Sequence, residues 1–318
     1  MLESDDCPHN AAMRRQPPKG VKAARGGPAL PCAPLQDIVP QRTHRQHGFT
    51  LIEAVMVIVI TGVLMAIVSR FIVEPVRAYL SSVARAALVD TADAALRRVG
   101  RDLRVALPNS VRVTPSGLAV ELIPTSGGAR YATEGAGRLD FGVVDTSFDL
   151  VGPPLTLAAS QQLVFYNLGT GITGSDAYAA NGTAAEQALS NRRTATNAAG
   201  SATTVTLSSA AGLPVGDFAP PHRVQAVGTP ISYRCDLSAG TLTRYQGYGF
   251  LATQPDPPTG GSSALLASGV TGCRFSYEAV AVAARAALVT LQLTLSTSTT
   301  AGTESIALHH AVHGDNLP

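Results

Sequence analysis

The hydrophobic pattern begins as an unbroken apolar run, passes into a helical period and ends in alternation. From Phe49 to Val68 the chain reads FTLIEAVMVIVITGVLMAIV, 20 residues with one charge. At ~1.5 Å per residue this spans the ~30 Å of a bilayer's hydrocarbon and predicts one membrane-crossing helix. Beyond it Val76, Leu80, Val83, Ala87, Thr91, Ala95, Val99 and Leu103 recur at three- and four-residue steps, with Arg85, Asp93, Arg97, Arg101 and Arg104 between them. That spacing predicts an amphipathic helix. Pro75 is expected to kink the junction by removing a hydrogen bond, and Leu107, Pro108 and Asn109 supply the stop. A helix from 49 to about 107 would be ~90 Å long.

From Ser110 the period becomes two. Strands are predicted at Val111 to Val113, Leu118 to Ile123, Leu139 to Val144, Gln162 to Asn167, Thr203 to Leu207, Ile231 to Asp236, Thr241 to Tyr245, Arg274 to Tyr277, Leu288 to Leu295 and Ser305 to Val312. The clearest hairpin is ISYRCDLSAGTLTRY, with its turn at Ser238, Ala239 and Gly240. Residues 169 to 202 are poor in apolar anchors and read as an irregular loop, with one short helix around Ala184 to Leu189. Residues 1 to 48 show no apolar period and are broken by prolines and glycines, so no fold is expected there.

Composition narrows the class. With 45% hydrophobic and 14% charged residues the chain can fill a core, which excludes disorder and collagen. The formal charge of +2 divides unevenly: residues 1 to 48 carry +3 and the rest carry −1. So neutral a body lacks the positive potential that holds nucleic acid, which is not expected as a partner. Positive charge ahead of the span puts the N-terminus in the cytoplasm and the C-terminal domain across the membrane. Met13, ahead of Arg14 and Arg15, is an alternative start.

Glu53 lies four residues into the apolar run, where insertion scales charge about 2.5–3.5 kcal/mol for an acid at a helix centre. Either it sits at the interface and reaches headgroups, or a partner offsets it. Its setting favours the second reading. Gly48, Phe49, Thr50, Leu51, Ile52 and Glu53 spell GFTLIE, and with the basic leader and the apolar run this resembles the processing motif of type IV prepilins and of the pseudopilins of type II secretion. The resemblance implies that prepilin peptidase cuts after Gly48 and methylates the new amine of Phe49. It also implies that Glu53 pairs with a neighbouring subunit's Phe49 amine in a filament. Gly62 falls where such helices often carry glycine, whereas a proline often found near Arg70 is displaced here to Pro75. An ordinary secretory signal fits less well, because residues 66 to 70 lack a small-x-small cleavage pattern. A lipoprotein anchor at Cys32 fails because no apolar stretch precedes it.

Downstream, RRVGRDLRVALPNSVRV, ISYRCDLSAGTLTRY, VTGCRFSYE, ALVTLQLTLS and HHAVHGDNLP resemble minor pilins of mannose-sensitive haemagglutinin (MSHA) type pili, of the MshO-like group. J-type minor pseudopilins share a related pattern. A body of about 210 residues is large for a major pilin, so the resemblance points to a minor, pilus-biogenesis subunit.

Of the other candidates, Cys235 and Cys273 lie in the exported body, where an oxidising compartment favours a disulfide; two buried free thiols are the alternative. His309 and His313 would stand about 13 Å apart on a strand, too far for one metal ion. Arg97, Arg98, Arg101 and Arg104 read as a solvated helix face, with Arg98 and Asp102 an i,i+4 pair. Loops around Asp176 and Asp256 lack a calcium-loop pattern, and no catalytic signature is present, so neither enzyme activity nor a metal or other cofactor is expected.

The expected architecture is α+β: a long N-terminal transmembrane and amphipathic helix, type IV pilin-like, packed on a β-rich domain. Its segments are a cleaved cytoplasmic leader (1–48), a transmembrane helix (49–70), an amphipathic continuation (71–107) and a β-rich periplasmic domain (108–318). The expected protein is a single-pass bacterial inner-membrane minor pilin, incorporated into a pilus or pseudopilus. Expected partners are prepilin peptidase, other major and minor pilins, membrane lipid, and the inner-membrane assembly platform with, indirectly, its ATPase. The alternatives are a J-type pseudopilin and an adhesive or DNA-binding tip subunit.

Overall fold

The computed structural model describes residues 48–279 and 286–315. Most of the expected leader, with Met13, Cys7 and Cys32, lies outside the described residues. The chain opens with α1 (Leu51–Arg104), one helix that includes Pro75 and ends three residues before the expected stop. Strands follow at Arg112–Val113 (β1), Ala119–Leu122 (β2), Thr125–Tyr131 (β3), Ser147–Val151 (β4), Leu155–Leu157 (β5) and Gln162–Phe165 (β6). A short helix, α2 (Ala184–Gln187), precedes Arg192–Ala195 (β7), Gly200–Ala202 (β8), Thr204–Ser208 (β9), Arg223–Val227 (β10), Ile231–Asp236 (β11) and Thr241–Gln246 (β12). The last strands are Ser262–Ser268 (β13), Val270–Ala279 (β14), Ala286–Thr299 (β15) and Gly302–Asp315 (β16).

Helix α1 buries only its C-terminal part, through Leu88, Ala92, Ala95, Leu96, Val99 and Leu103. The apolar positions from Val76 to Ala87 are exposed. Geometry explains the split: from Val76 to Leu103 is 27 residues, about seven and a half turns, so the two ends of that row face opposite ways. The packing face is the row through Leu88, Ala92, Leu96 and Val99, one residue along from Ala87 and Thr91, and the expected row joins it only from Ala95 onward.

That face packs on two sheets. One has the order β1-β2-β11-β12-β13, the other β14-β15-β16, all neighbours antiparallel. Val120, Leu122, Tyr233 and Leu242 of the first and Phe275, Leu291, Leu293 and Leu295 of the second close one core around the helix. Strand β11 has the bounds expected of it. Its hairpin to β12 turns at Gly240, whose φ of +65° suits glycine, while Asp236 Oδ1 accepts from the backbone N–H groups of Ser238 and Ala239. Strands β15 and β16 run well past the expected limits, paired without a break from Ala286↔Asp315 to Thr299↔Gly302. Their outer ends are Ala, Ser and Thr on β15 and Gly, Thr, Glu, His and Asp on β16, which carry no apolar alternation.

Residues 125–227 form a second body, inserted between strands β2 and β11 that pair directly at Ile231↔Leu122. Its two ends meet where Gly228 N–H donates to Pro124 O at 2.8 Å. Inside is a closed barrel, β10-β3-β4-β9-β7-β6, filled by Tyr131, Phe148, Leu163, Phe165, Val205 and Val224. This barrel corrects two expectations. Leu139 to Val144 is a loop, not a strand: Gly142 has φ +78°, Leu139 is buried and Val143 and Val144 are exposed. Residues 169 to 202, read as an irregular loop, supply β7 and β8 as well as α2, which starts on a capping box between Thr183 and Glu186. A third cluster, Leu107, Ile123, Val164, Ala177, Tyr178 and Val227, seals the barrel to the sheets.

Strand β7 hid its nature by burying an arginine on each face, Arg193 opposite Leu163 of the barrel core and Arg192 opposite Val164 outside it. Arg193 is buried and donates to the carbonyl oxygens of Gln187, Ser190, Ala211 and Gly212, so it satisfies several loop carbonyls at once. Burial pulls its guanidinium down to about 10. Nearby Asp217 is 1% exposed and accepts from Ser175 Oγ at 2.5 Å. Its Oδ2 has no partner among the described residues. Burial raises its pKa from 3.8 to about 7 despite the Ser175 hydrogen bond and the charge of Arg193. The folded state therefore holds a proton that the unfolded chain releases, so this contribution to stability is present below about pH 4 and is lost as pH rises to 7. Asp217→Asn should flatten the fall in stability between pH 5 and pH 8 and raise stability at pH 8 by about 2 kcal/mol, read from urea melts at the two pH values.

Candidate functional site

The N-terminal segment is built on a helix cap. Gly48, Phe49 and Thr50 precede α1, and Thr50 Oγ1 accepts from Glu53 N–H at 3.3 Å. The sequence Thr-Leu-Ile-Glu is thus an N-cap followed three residues later by an acid, a start signal that the motif reading passed over. It places Glu53 in the first turn, where the helix's positive end favours a carboxylate. The Glu53 carboxylate has no hydrogen bond or ion pair among the described residues and stands exposed.

Around it the apolar run is bare. Phe49 is 76% exposed and Leu51 84% exposed, and every residue from 48 to 80 is exposed. The helix is long and apolar enough to cross a membrane. A surface of this kind lowers its free energy only by contact with hydrocarbon or with other apolar helices, and a lone carboxylate on it is suited to a cation supplied from outside the chain.

The other end of α1 is held by polar contacts. Asp102 Oδ2 accepts from Tyr233 Oη at 2.6 Å and from Arg244 Nε at 2.9 Å. Arg98, the partner expected from the i,i+4 spacing, stands at 3.6 Å. Burial and the adjacent Asp102 push the Tyr233 hydroxyl pKa up, which keeps it a donor. Gly100 lets β16 approach, since a Cβ there would lie 2.8 Å from His310 Nε2. Cys235 of β11 and Cys273 of β14 form a disulfide with Cα atoms 6.3 Å apart, tying the two sheets together. Farther along, Arg85 donates to Glu304 of β16 at 2.7 Å.

The remaining candidates are occupied or dispersed. Arg97, Arg98, Arg101 and Arg104 are exposed, with Arg97 paired to Asp93 at 2.8 Å. His309 and His313 are both exposed on β16. Asp176 caps the backbone N–H groups of Gly171 and Tyr178, and Asp256 pairs with Arg234 at 2.6 Å.

A family model described as the prokaryotic N-terminal methylation motif matches residues 43–69, which take in Gly48, Phe49 and Glu53. No curated protein and no solved structure matches the chain. The motif and the one helix of membrane length among the described residues support a type IV prepilin-like, membrane-anchored, single-pass protein.

Asp102→Ala would leave Arg244 and Tyr233 facing a part-buried gap. It should destabilise the domain by about 3 kcal/mol in a denaturant melt, with Asp102→Asn costing less. Replacing both Cys235 and Cys273 by serine should cost up to about 4 kcal/mol in the same assay, the order that closing a loop of this length implies.

Proposed function

We propose that this chain is a minor pilin of pilus biogenesis, of the mannose-sensitive haemagglutinin type, which joins a type IV pilus-like filament through α1. The observation that carries the reading is the methylation motif over 43–69, followed by an exposed apolar helix whose one early carboxylate has no partner among the described residues. In this reading residues 1–48 form a cytoplasmic leader, prepilin peptidase cuts after Gly48, and Phe49 becomes an N-methylated terminus. Residues 49–70 hold the chain in the inner membrane, and the part from 108 onward is periplasmic until assembly. Other pilins then replace lipid around α1, and Glu53 pairs with a neighbour's Phe49 amine. Two opposite charges in a low-dielectric bundle attract strongly, while either alone is costly there.

A minor role is favoured by the inserted barrel of residues 125–227, which enlarges the exported body beyond what a repeated shaft subunit needs. A J-type pseudopilin of type II secretion is the second reading, because the methylation motif belongs to both classes of filament.

Mass spectrometry of the membrane-extracted protein should find a chain that begins at methylated Phe49, and Gly48→Val should leave it uncut. Glu53→Ala should still insert and be cleaved, since losing a carboxylate makes insertion easier. Its recovery in sheared filaments should nevertheless fall about tenfold or more, because a neighbour's buried amine would be left unpaired at roughly 3–5 kcal/mol. Wild-type recovery would refute the intersubunit role of Glu53.

A further inference from the structure

The barrel carries an unexplained pair of charges. Of its five arginines, Arg138 pairs with Asp140, and Arg192 and Arg193 are buried and hydrogen-bonded. Arg130 and Arg223 are exposed and have no hydrogen bond or ion pair among the described residues. Yet they are direct cross-strand partners on β3 and β10. Tyr131 N–H donates to His222 O at 3.1 Å, which makes the adjacent position the hydrogen-bonded one. Arg130 and Arg223 therefore occupy the closer, non-hydrogen-bonded position, with Cα atoms about 4.5 Å apart. Like charges set directly opposite each other destabilise a sheet. Nothing in the barrel's packing requires them.

The two guanidinium groups border a cleft of about 440 Å³ on the barrel surface. Val151, Pro153 and Pro154 give it an apolar wall, and Gln225 lies on the same side as Arg223, two residues along β10. Gln225 is half-buried, and its amide has no partner among the described residues. It fits there because Gly128 opposite lacks a side chain: a Cβ would lie 2.5 Å from Gln225 Oε1. The cleft thus offers two forked cations, one neutral amide and a flat apolar side.

We propose that this cleft binds a carboxylated sugar residue of an acidic polysaccharide. The arginine pair takes the carboxylate through parallel N–H donors, Gln225 meets ring hydroxyls, and the proline wall packs on the C–H face of the ring. Outside the cleft the barrel has seven acids against three arginines, so an extended polyanion such as a nucleic acid strand gains little from the rest of its surface. One ring with one acidic group fits that distribution better. The site requires neither leader cleavage nor Glu53, so its failure and that of the assembly reading are separable.

The test is calorimetric titration of the full chain in detergent with trigalacturonate, maltotriose, inorganic phosphate and a short single-stranded oligonucleotide. Trigalacturonate should bind saturably, more weakly at high salt, and about tenfold or more weaker to Arg130→Gln or Arg223→Gln. Maltotriose should not bind, and phosphate and the oligonucleotide should compete poorly. Either variant should melt no lower than wild type, because it removes a repulsion, so weakened binding cannot be assigned to unfolding. Unchanged trigalacturonate affinity in both variants would overturn the site. So would equal binding of maltotriose, equal affinity for phosphate alone, or preference for the oligonucleotide.

Discussion

The carboxylate of Asp102 is the point on which the β-rich part of this molecule turns. A helix can rotate or slide on an apolar face at modest cost, because hydrophobic contact has little direction. Tyr233 and Arg244 remove that freedom by aiming two donors from adjacent strands at one carboxylate oxygen. Once Asp102 is fixed, Ala95, Leu96, Val99 and Leu103 fall against the strands, and Gly100 is brought beneath β16. The part of α1 that remains bare is then set by default.

The exposure of residues 48 to 80 follows from this division rather than from any local feature. A 54-residue helix with one docked end has more apolar surface than its own domain can cover. Such a surface must be satisfied by surroundings of another kind, and Glu53 belongs to that bare part. The chain thus separates a portion packed against its own strands from one left exposed.

How much of this could be read beforehand depended on how strongly each residue type constrains its place. The membrane-length run, the GFTLIE string, the amphipathic stretch and the β11–β12 hairpin were legible because apolar period, charge and turn chemistry agree there. Arg98 was readable as a partner of Asp102, but Tyr233 and Arg244 lie 131 and 142 residues away and give no local sign. The barrel was missed for a physical reason. Its strands include TSGGARY and RRTA, in which glycine replaces apolar residues or arginine points inward, so neither alternation nor hydrophobicity marks them. Conversely, Leu139 to Val144 looked like a strand because a loop that packs two side chains inward mimics alternation.

The insertion point of the barrel also decides how the molecule carries load. The barrel enters and leaves through Pro124 and Gly228, which are hydrogen-bonded to each other and continue into β2 and β11. A pull on the barrel therefore reaches the sheet through two adjacent strands drawn the same way, so neither is peeled from the other. Strand β11 is in turn linked covalently to β14 through Cys235 and Cys273. Tension on the barrel is thus shared between a hydrogen-bonded strand pair, a covalent tie and the direct bond from Thr125 N–H to Val105 O just past the end of α1.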